Sequence, residues 1–245
     1  MIKIYNKTDI GMVRTENQDS FKSYLSNSNQ VAWTIVCDGI GGGRCGEIAS
    51  KIASESVFEY FMANFEKYRN NIKDLHIDSI RFANEKIYEL SKNDRYFLGM
   101  GTTIVIAIIH EKDLYISHLG DSRAYLIDDF EIKQLTTDHS VVQELVNIGK
   151  LTKHQARNNC RKNIITKALG INKDVSPDFL EIKVEEDNNI MLCTDGLTNY
   201  LDDNIIFEIF LKNKNNGLKF IAYELINTAK NLGGNDNITV SIIKI

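Results

Sequence analysis

The chain has 245 residues, 43% of them apolar and 25% charged, an ordinary globular composition that excludes wholesale disorder. Its net charge of −4 gives no footprint for nucleic acid, and its longest strongly apolar run, Thr103–Ile109, falls far short of the roughly 20 residues that span a bilayer. The N-terminal MIKIYNKTDI has no apolar core and no small-residue cleavage site, and the four cysteines (Cys37, Cys45, Cys160, Cys193) form no CxxC pair. A cytoplasmic protein without membrane insertion, disulfide framework or structural zinc is expected. There is one proline, Pro177, and no Gly/Ser-rich linker, so residues 1–245 read as a single domain.

In chain order, Val31–Asp38 (VAWTIVCD) is an apolar run stopped by glycines and reads as a buried strand. Gly39, Gly41, Gly42, Gly43 and Gly46 make a turn, and Glu47–Phe65 then spaces its apolar residues as a helix does. A second helix is expected over Asp78–Leu90. Strands follow over Thr102–His110, Leu114–Leu119, Ser122–Ile127 and Glu131–Leu135, and their short links predict antiparallel hairpins. Asp138–Gly149 reads as helical. From Leu145 to Lys173 there are seven basic residues and no acidic one, a local basic stretch suited to meeting anions. Strands are expected at Phe179–Val184 and Asn189–Cys193, helices at Ile205–Leu211 and Leu218–Leu232, and a last strand at Asn237–Ile245. Strands grouped apart from helices predict an α+β protein with antiparallel sheets rather than a parallel doubly wound one.

Five aspartates stand beside glycines or at strand ends: Asp19 (RTENQD), Asp38 (CDGIGGG), Asp121 (LGDSR), Asp195 (LCTDGL) and Asp236 (GGNDN). One Asp-Gly is an ordinary turn. Five that converge would repel one another without a cation, and oxygen ligands with few histidines suit Mg²⁺ or Mn²⁺. Two such ions can share a water and clamp a phosphoryl group. Arg14, five residues before Asp19, can offer a bidentate fork to phosphate oxygens. The glycine run lacks the Walker lysine and the GxGxxG spacing, so it does not read as a nucleotide loop.

The strings DIGMVRTENQDSF, VCDGIGGGRCGEIAS, GMGTT, LYISHLGDSRAYLI, LTTDHSVVQELVNIGKLT, ITKALG, IMLCTDGLTNYLDD and GGNDNITV resemble, in family order from residue 9 to 240, the bacterial metal-dependent Ser/Thr protein phosphatases of type 2C, the PPM family. The resemblance implies a four-layer αββα sandwich, two central antiparallel sheets flanked by helix pairs, with a flap subdomain at about 140–170 holding the basic stretch. It implies that Asp38 bridges two core ions, that the Gly39 carbonyl binds one of them, and that Asp195 and Asp236 complete the pair. Asp19 would act mainly through bound water. Asp121 would hold a third, weaker ion, with Asp195 shared. Arg14 would bind the substrate phosphate, and a metal-bridging hydroxide would attack phosphorus directly. The implied partners are phosphorylated proteins, including a bacterial Ser/Thr kinase whose action is reversed.

Two positions depart from the pattern. Ile40 stands where many eukaryotic members carry a histidine thought to protonate the leaving group, and Gln18 stands where some have a glutamate. Two rival readings remain at this level, a phosphatase dedicated to one partner and a pseudophosphatase that binds without turnover. His139 is expected to be satisfied locally beside Asp138 as a helix N-cap. The other histidines share no ligand-like spacing, and Cys37 and Cys193 read as inert strand residues.

Overall fold

The computed structural model describes residues 1–42 and 44–245; Gly43, part of the expected glycine turn, lies outside the described residues. Eleven described strands form two sheets. One has the order β1 (Lys3–Asp9), β11 (Ile238–Lys244), β10 (Asn189–Cys193), β7 (Arg123–Ile127), β8 (Ile132–Gln134). The other has the order β2 (Asp19–Leu25), β3 (Val31–Ile40), β5 (Ile104–His110), β6 (Asp113–Leu119), β9 (Asp178–Lys183), and the two-residue β4 (Gly101–Thr102) joins the end of β3. Every pairing is antiparallel. Helices α1 (Cys45–Tyr68) and α2 (Ile72–Asn93) cover the second sheet. Helices α5 (Asp195–Thr198), α6 (Asp203–Asn213) and α7 (Leu218–Asn231) cover the first. The short helices α3 (Val141–Asn147) and α4 (Lys153–Arg157) lie in the segment between β8 and β9.

The period of two along a strand builds the layers. Ile104, Ile106 and Ile108 of β5 face α1 and α2, while Val105, Ala107 and Ile109 face the opposite sheet. On β10, Met191 and Cys193 face the helices, and Ile190 and Leu192 face inward. Each of these isoleucines is fully buried, worth about 2 kcal/mol apiece against exposure. The central strands thus read as continuous apolar runs because both faces are covered. The four-layer αββα architecture is as expected.

Two expectations fail. The Gly120–Asp121 link is no hairpin: β6 and β7 belong to different sheets. Gly120 takes φ +107°, and a Cβ there would stand 2.6 Å from Thr103 Cγ2, so the chain turns across the sandwich at a residue that only glycine suits. Asp138 does not cap α3. Ser140 does, accepting the Gln143 N–H at 3.3 Å, and Asp138 binds Arg123 through both carboxylate oxygens. A buried guanidinium demands that carboxylate more than a helix end with its own serine does.

Candidate active site

The site lies at one end of the two sheets. Asp19 opens β2 and pairs directly with Asp38 near the end of β3. Asp195 is the first residue of α5, separated from the end of β10 by Thr194 alone, and Asp236 stands just before β11. Asp121 occupies the step between the sheets. Asp38 feels the charges of Asp19, Asp195, Asp121 and Asp236 together, so all five converge, as their positions at strand ends predict. Arg14, on the β1–β2 loop, rests its Nη2 on Asp236 Oδ2 at 2.9 Å and remains half exposed.

Local chemistry aims these groups. Asp38 donates its N–H to Thr103 Oγ1 at 3.0 Å, and its carbonyl accepts from Thr102 Oγ1 and the Thr103 N–H, both at 2.9 Å. Gly39 has no room for a Cβ, which would fall 2.1 Å from the Gly46 carbonyl oxygen; the start of α1 therefore presses against the end of β3. Asn199 donates to Asp195 Oδ2 at 2.9 Å. Asp19 Oδ2 accepts from Thr194 Oγ1 at 2.9 Å and Thr239 Oγ1 at 2.6 Å. Its other oxygen, Oδ1, is buried and has no hydrogen-bond partner among the described residues. Asn237 straps the Arg14 loop in place, donating to the Ile10 and Glu16 carbonyls and accepting the Gln18 N–H.

Burial pushes Asp19 up to about 7, and burial with the neighbouring carboxylates pushes Asp38 and Asp121 well above the usual range and raises Asp195. Arg14 is raised mainly by its bond to Asp236. Burial also drives the Cys37 thiol far up and the Cys193 thiol to about 12, so neither is a thiolate at neutral pH.

From Asp121 and Asp195 a cleft of about 310 Å³ runs under the segment holding α3 and α4, where Lys153, Arg157 and Lys162 line it. The basic stretch therefore faces the acidic centre. Arg157 Nη2 also donates to the Thr198 carbonyl at 3.1 Å, tying α4 to the helix that begins with Asp195.

Sequence reasoning missed the supporting residues Thr103, Thr194, Asn199, Asn237 and Thr239. Asn237 and Thr194 flank the motif aspartates, which is the signal that could have found them. It also missed a second cluster. His118, His139 and Asp178 bring three potential ligand atoms within 4.8 Å of one another, although their spacing in the chain suggests nothing. Sheet register explains it, since His118 pairs with Asp178 across β6 and β9. The two imidazoles stack with planes 2° apart and centroids 4.6 Å apart. A metal lies in the ring plane of each histidine that holds it, and two stacked parallel rings share no such plane. Lys167 Nζ already sits 3.2 Å from His139 Nε2 and 3.3 Å from Asp178 Oδ1.

The Protein phosphatase 2C family profile matches residues 13–218. The chain is 36% identical over 239 residues to protein phosphatase PhpP of Streptococcus pneumoniae, covering 97% of this chain and 95% of that protein. The solved serine/threonine phosphatase of S. agalactiae superposes with a TM-score of 0.92 at 35% identity, covering all of both chains. The catalytic domain of the serine/threonine protein phosphatase PstP, solved with two manganese ions, superposes at 0.82 and 28% identity over 99% of this chain and 97% of that one. The chain therefore belongs to the protein phosphatase 2C family of protein serine/threonine phosphatases.

Proposed function

We propose that the chain hydrolyses phosphoserine and phosphothreonine in proteins with the help of divalent ions, Mn²⁺ or Mg²⁺. Asp38, the Gly39 carbonyl, Asp195 and Asp236 would hold the core pair, with Asp19 acting through bound water, and Asp121 and Asp195 would hold a third, weaker ion. The observation that carries the reading is uncompensated buried charge. Five carboxylates meet with one half-exposed arginine, Arg14, bound to one of them, while the other nearby guanidinium, Arg123, is already paired with Asp138, and among the described residues the buried Asp19 Oδ1 atom has no partner. An all-oxygen donor set of this kind fits a hard divalent cation.

When bound, the ions supply Lewis acidity, an acidified attacking water and balance for the phosphoryl charge. The chain's own residues do the rest. Thr102 and Thr103 fix the Asp38 backbone, and Asn199 fixes Asp195, so the carboxylates are held in place before substrate arrives. Arg14 leaves Asp236 for the substrate and grips two phosphate oxygens. Cys37 and Cys193 are buried, protonated thiols, which favours water over a cysteine nucleophile and a direct displacement without a phosphoenzyme. Ile40 has no proton to give, so solvent or another acid protonates the leaving alkoxide. The cleft beneath residues 140–170 faces the centre with Lys153, Arg157 and Lys162, and that segment serves as the flap over which an acidic or phosphorylated substrate segment passes. The enzyme acts in the cytoplasm against a Ser/Thr kinase, a reading that rests on family likeness alone. Among the described residues, no helix is long and apolar enough to cross a membrane.

The test is phosphate release from a phosphothreonine peptide with Mn²⁺, with EDTA, and with Asp38→Asn plus Mn²⁺. Release that requires Mn²⁺ and collapses in the variant supports the reading. A folded, Mn²⁺-loaded wild type that releases nothing from any phosphopeptide in a broad panel, or from phosphoproteins, overturns it.

A further inference from the structure

Asp121 sits in the step between the two sheets, and among the described residues no other side chain bonds its carboxylate, which takes a hydrogen bond from its own backbone N–H. Its direction is set by the backbone around Gly120. Both polar groups of Gly120 engage one residue. The Gly120 N–H donates to His139 Nδ1 at 3.1 Å, and the Gly120 carbonyl accepts the His139 N–H at 2.9 Å. Among the described residues these are its only backbone hydrogen bonds, and its φ of +107° is one that glycine adopts most readily.

His139 is itself held from several sides. Its carbonyl accepts the Thr166 N–H at 2.8 Å. Its ring lies flat on His118, and His118 Nε2 donates to the Thr137 carbonyl at 2.9 Å. Because Nδ1 accepts from Gly120, the proton of the neutral His139 ring is on Nε2, which faces Asp178 Oδ2 at 3.4 Å; Lys167 Nζ, 3.2 Å from the same nitrogen, gives its protons to Asp178 Oδ1 at 3.3 Å instead. The ring orientation is therefore fixed at both nitrogens.

We propose that His139 is a positioning residue for the phosphatase reaction: it clamps Gly120 through Nδ1 and so aims Asp121 at the ion that Asp121 helps to hold. The inference rests on the phosphatase reading above and adds a group that touches neither substrate nor ion. It explains why the ring faces the catalytic loop with an acceptor and Asp178 with a donor. Residues that orient a metal's ligands from behind cost about 10- to 100-fold in metal affinity when removed.

Two near-isosteres separate the two nitrogens. His139→Asn places an acceptor where Nδ1 stands and loses Nε2. His139→Gln reaches toward the Nε2 position and leaves Gly120 without an acceptor. The experiment titrates each variant and the wild type with Mn²⁺, counts free ion by electron paramagnetic resonance, and measures kcat, KM and Tm in parallel. The expected result is about tenfold weaker binding of the weakest Mn²⁺ in His139→Gln and His139→Ala, with His139→Asn within about twofold of wild type. In an Asp121→Asn background the His139 substitutions should add no further loss, because residues acting through one another are not additive. Equal loss in Asn and Gln, additive loss in the double variants, or lowered Tm with unchanged Mn²⁺ binding would overturn the proposal. So would failure of all three single variants to fold, since the side chain would then be holding the sandwich together. Wild-type turnover in the same series tests the phosphatase reading separately.

Discussion

Among the described residues two clusters of potential metal ligands stand out, the five aspartates and the group of His118, His139 and Asp178, and they differ in what they lack. The five aspartates bind one arginine directly, Arg14, which is half exposed and bound to only one of them; Arg123 nearby is committed to Asp138, and among the described residues a buried oxygen of Asp19 has no partner. The cluster of His118, His139 and Asp178 contains its own cation, Lys167, and its rings are stacked and hydrogen-bonded to backbone. Proximity of ligand atoms is common to both. Uncompensated charge is not, and it is the feature that calls for an ion, because a buried carboxylate without a counter-charge is costly.

The largest effect belongs to the aspartates. Asp38→Asn should lower Mn²⁺-dependent phosphate release from a phosphothreonine peptide by at least about a hundredfold. A smaller loss would mean that the shared charge at this position is dispensable and would break the contrast between the clusters.

The stability of the metal-free protein tests the same charge without catalysis. Asp19 titrates near 7 in the folded protein against an ordinary 3.8. Between those values the folded state binds the proton and the unfolded state does not, so stability falls as pH rises through that window. Differential scanning calorimetry in EDTA should show Tm rising as pH is lowered from 7.5 to 6.5, and Mn²⁺ should raise Tm more at pH 7.5 than at 6.5. A metal-free Tm that climbs with pH over this interval would contradict the assigned burial.

His76 sharpens the comparison, because it is a buried polar group with neither an ion nor a partner. Among the described residues both ring nitrogens lack hydrogen bonds, it packs against Phe61 and Phe179, and burial pushes its pKa down to about 3. It remains neutral and so asks for no ion. Its depressed pKa makes stability fall as pH drops below about 6.5, which opposes the Asp19 effect below that point. His76→Phe keeps a flat ring and removes the two unpaired nitrogens. It should stabilise the protein by about 1–2 kcal/mol in urea unfolding and lessen the loss of stability below pH 6.5, to which the depressed His118 and His139 also contribute. Destabilisation by the phenylalanine would show that the pocket is shaped too closely to the imidazole.

The smallest effect is at Lys167. Its pair with Asp178 is half exposed on both sides, so Lys167→Met should cost less than about 1 kcal/mol and leave the number of bound Mn²⁺ unchanged. An additional ion in the variant would show that the lysine had been occupying a metal site.

Most of the architecture was legible because the inner strands are apolar on both faces and the glycines and aspartates punctuate them. The first two strands were not. β1 (KIYNKTD) and β2 (DSFKSYL) are half-buried along nearly their whole length. Polar residues on them meet partners in the sandwich: Asn6 donates to Ser23 Oγ at 2.7 Å, and the Thr8 and Thr239 hydroxyls are 2.7 Å apart. A strand whose inward residues are satisfied by hydrogen bonds shows no apolar alternation to read. The Gly120–Asp121 step misled for a related reason. Two residues between two strands look the same whether the chain folds back within a sheet or crosses to the next. The aspartates themselves were legible from their motifs. The threonines and asparagines that orient them were not, because their role depends on contacts such as Thr194 and Thr239 to Asp19, 175 and 220 residues away.

The strand order gives the ribosome a scheduling problem. β11 is inserted between β1 and β10, and Thr8 meets Thr239 across 231 residues. While the chain emerges, β1 has no neighbour of its own sheet to pair with, and the position that will receive β11 stays open on both sides. Closing so long a loop is slow. The second sheet and its two helices are complete once β9 is made, but Asp236 and the Thr239 hydroxyl arrive only with the last segment. A nascent chain therefore cannot assemble the five-aspartate cluster with its Thr239 bond until synthesis has passed residue 239, and a truncation before β11 would break the first sheet and remove that bond.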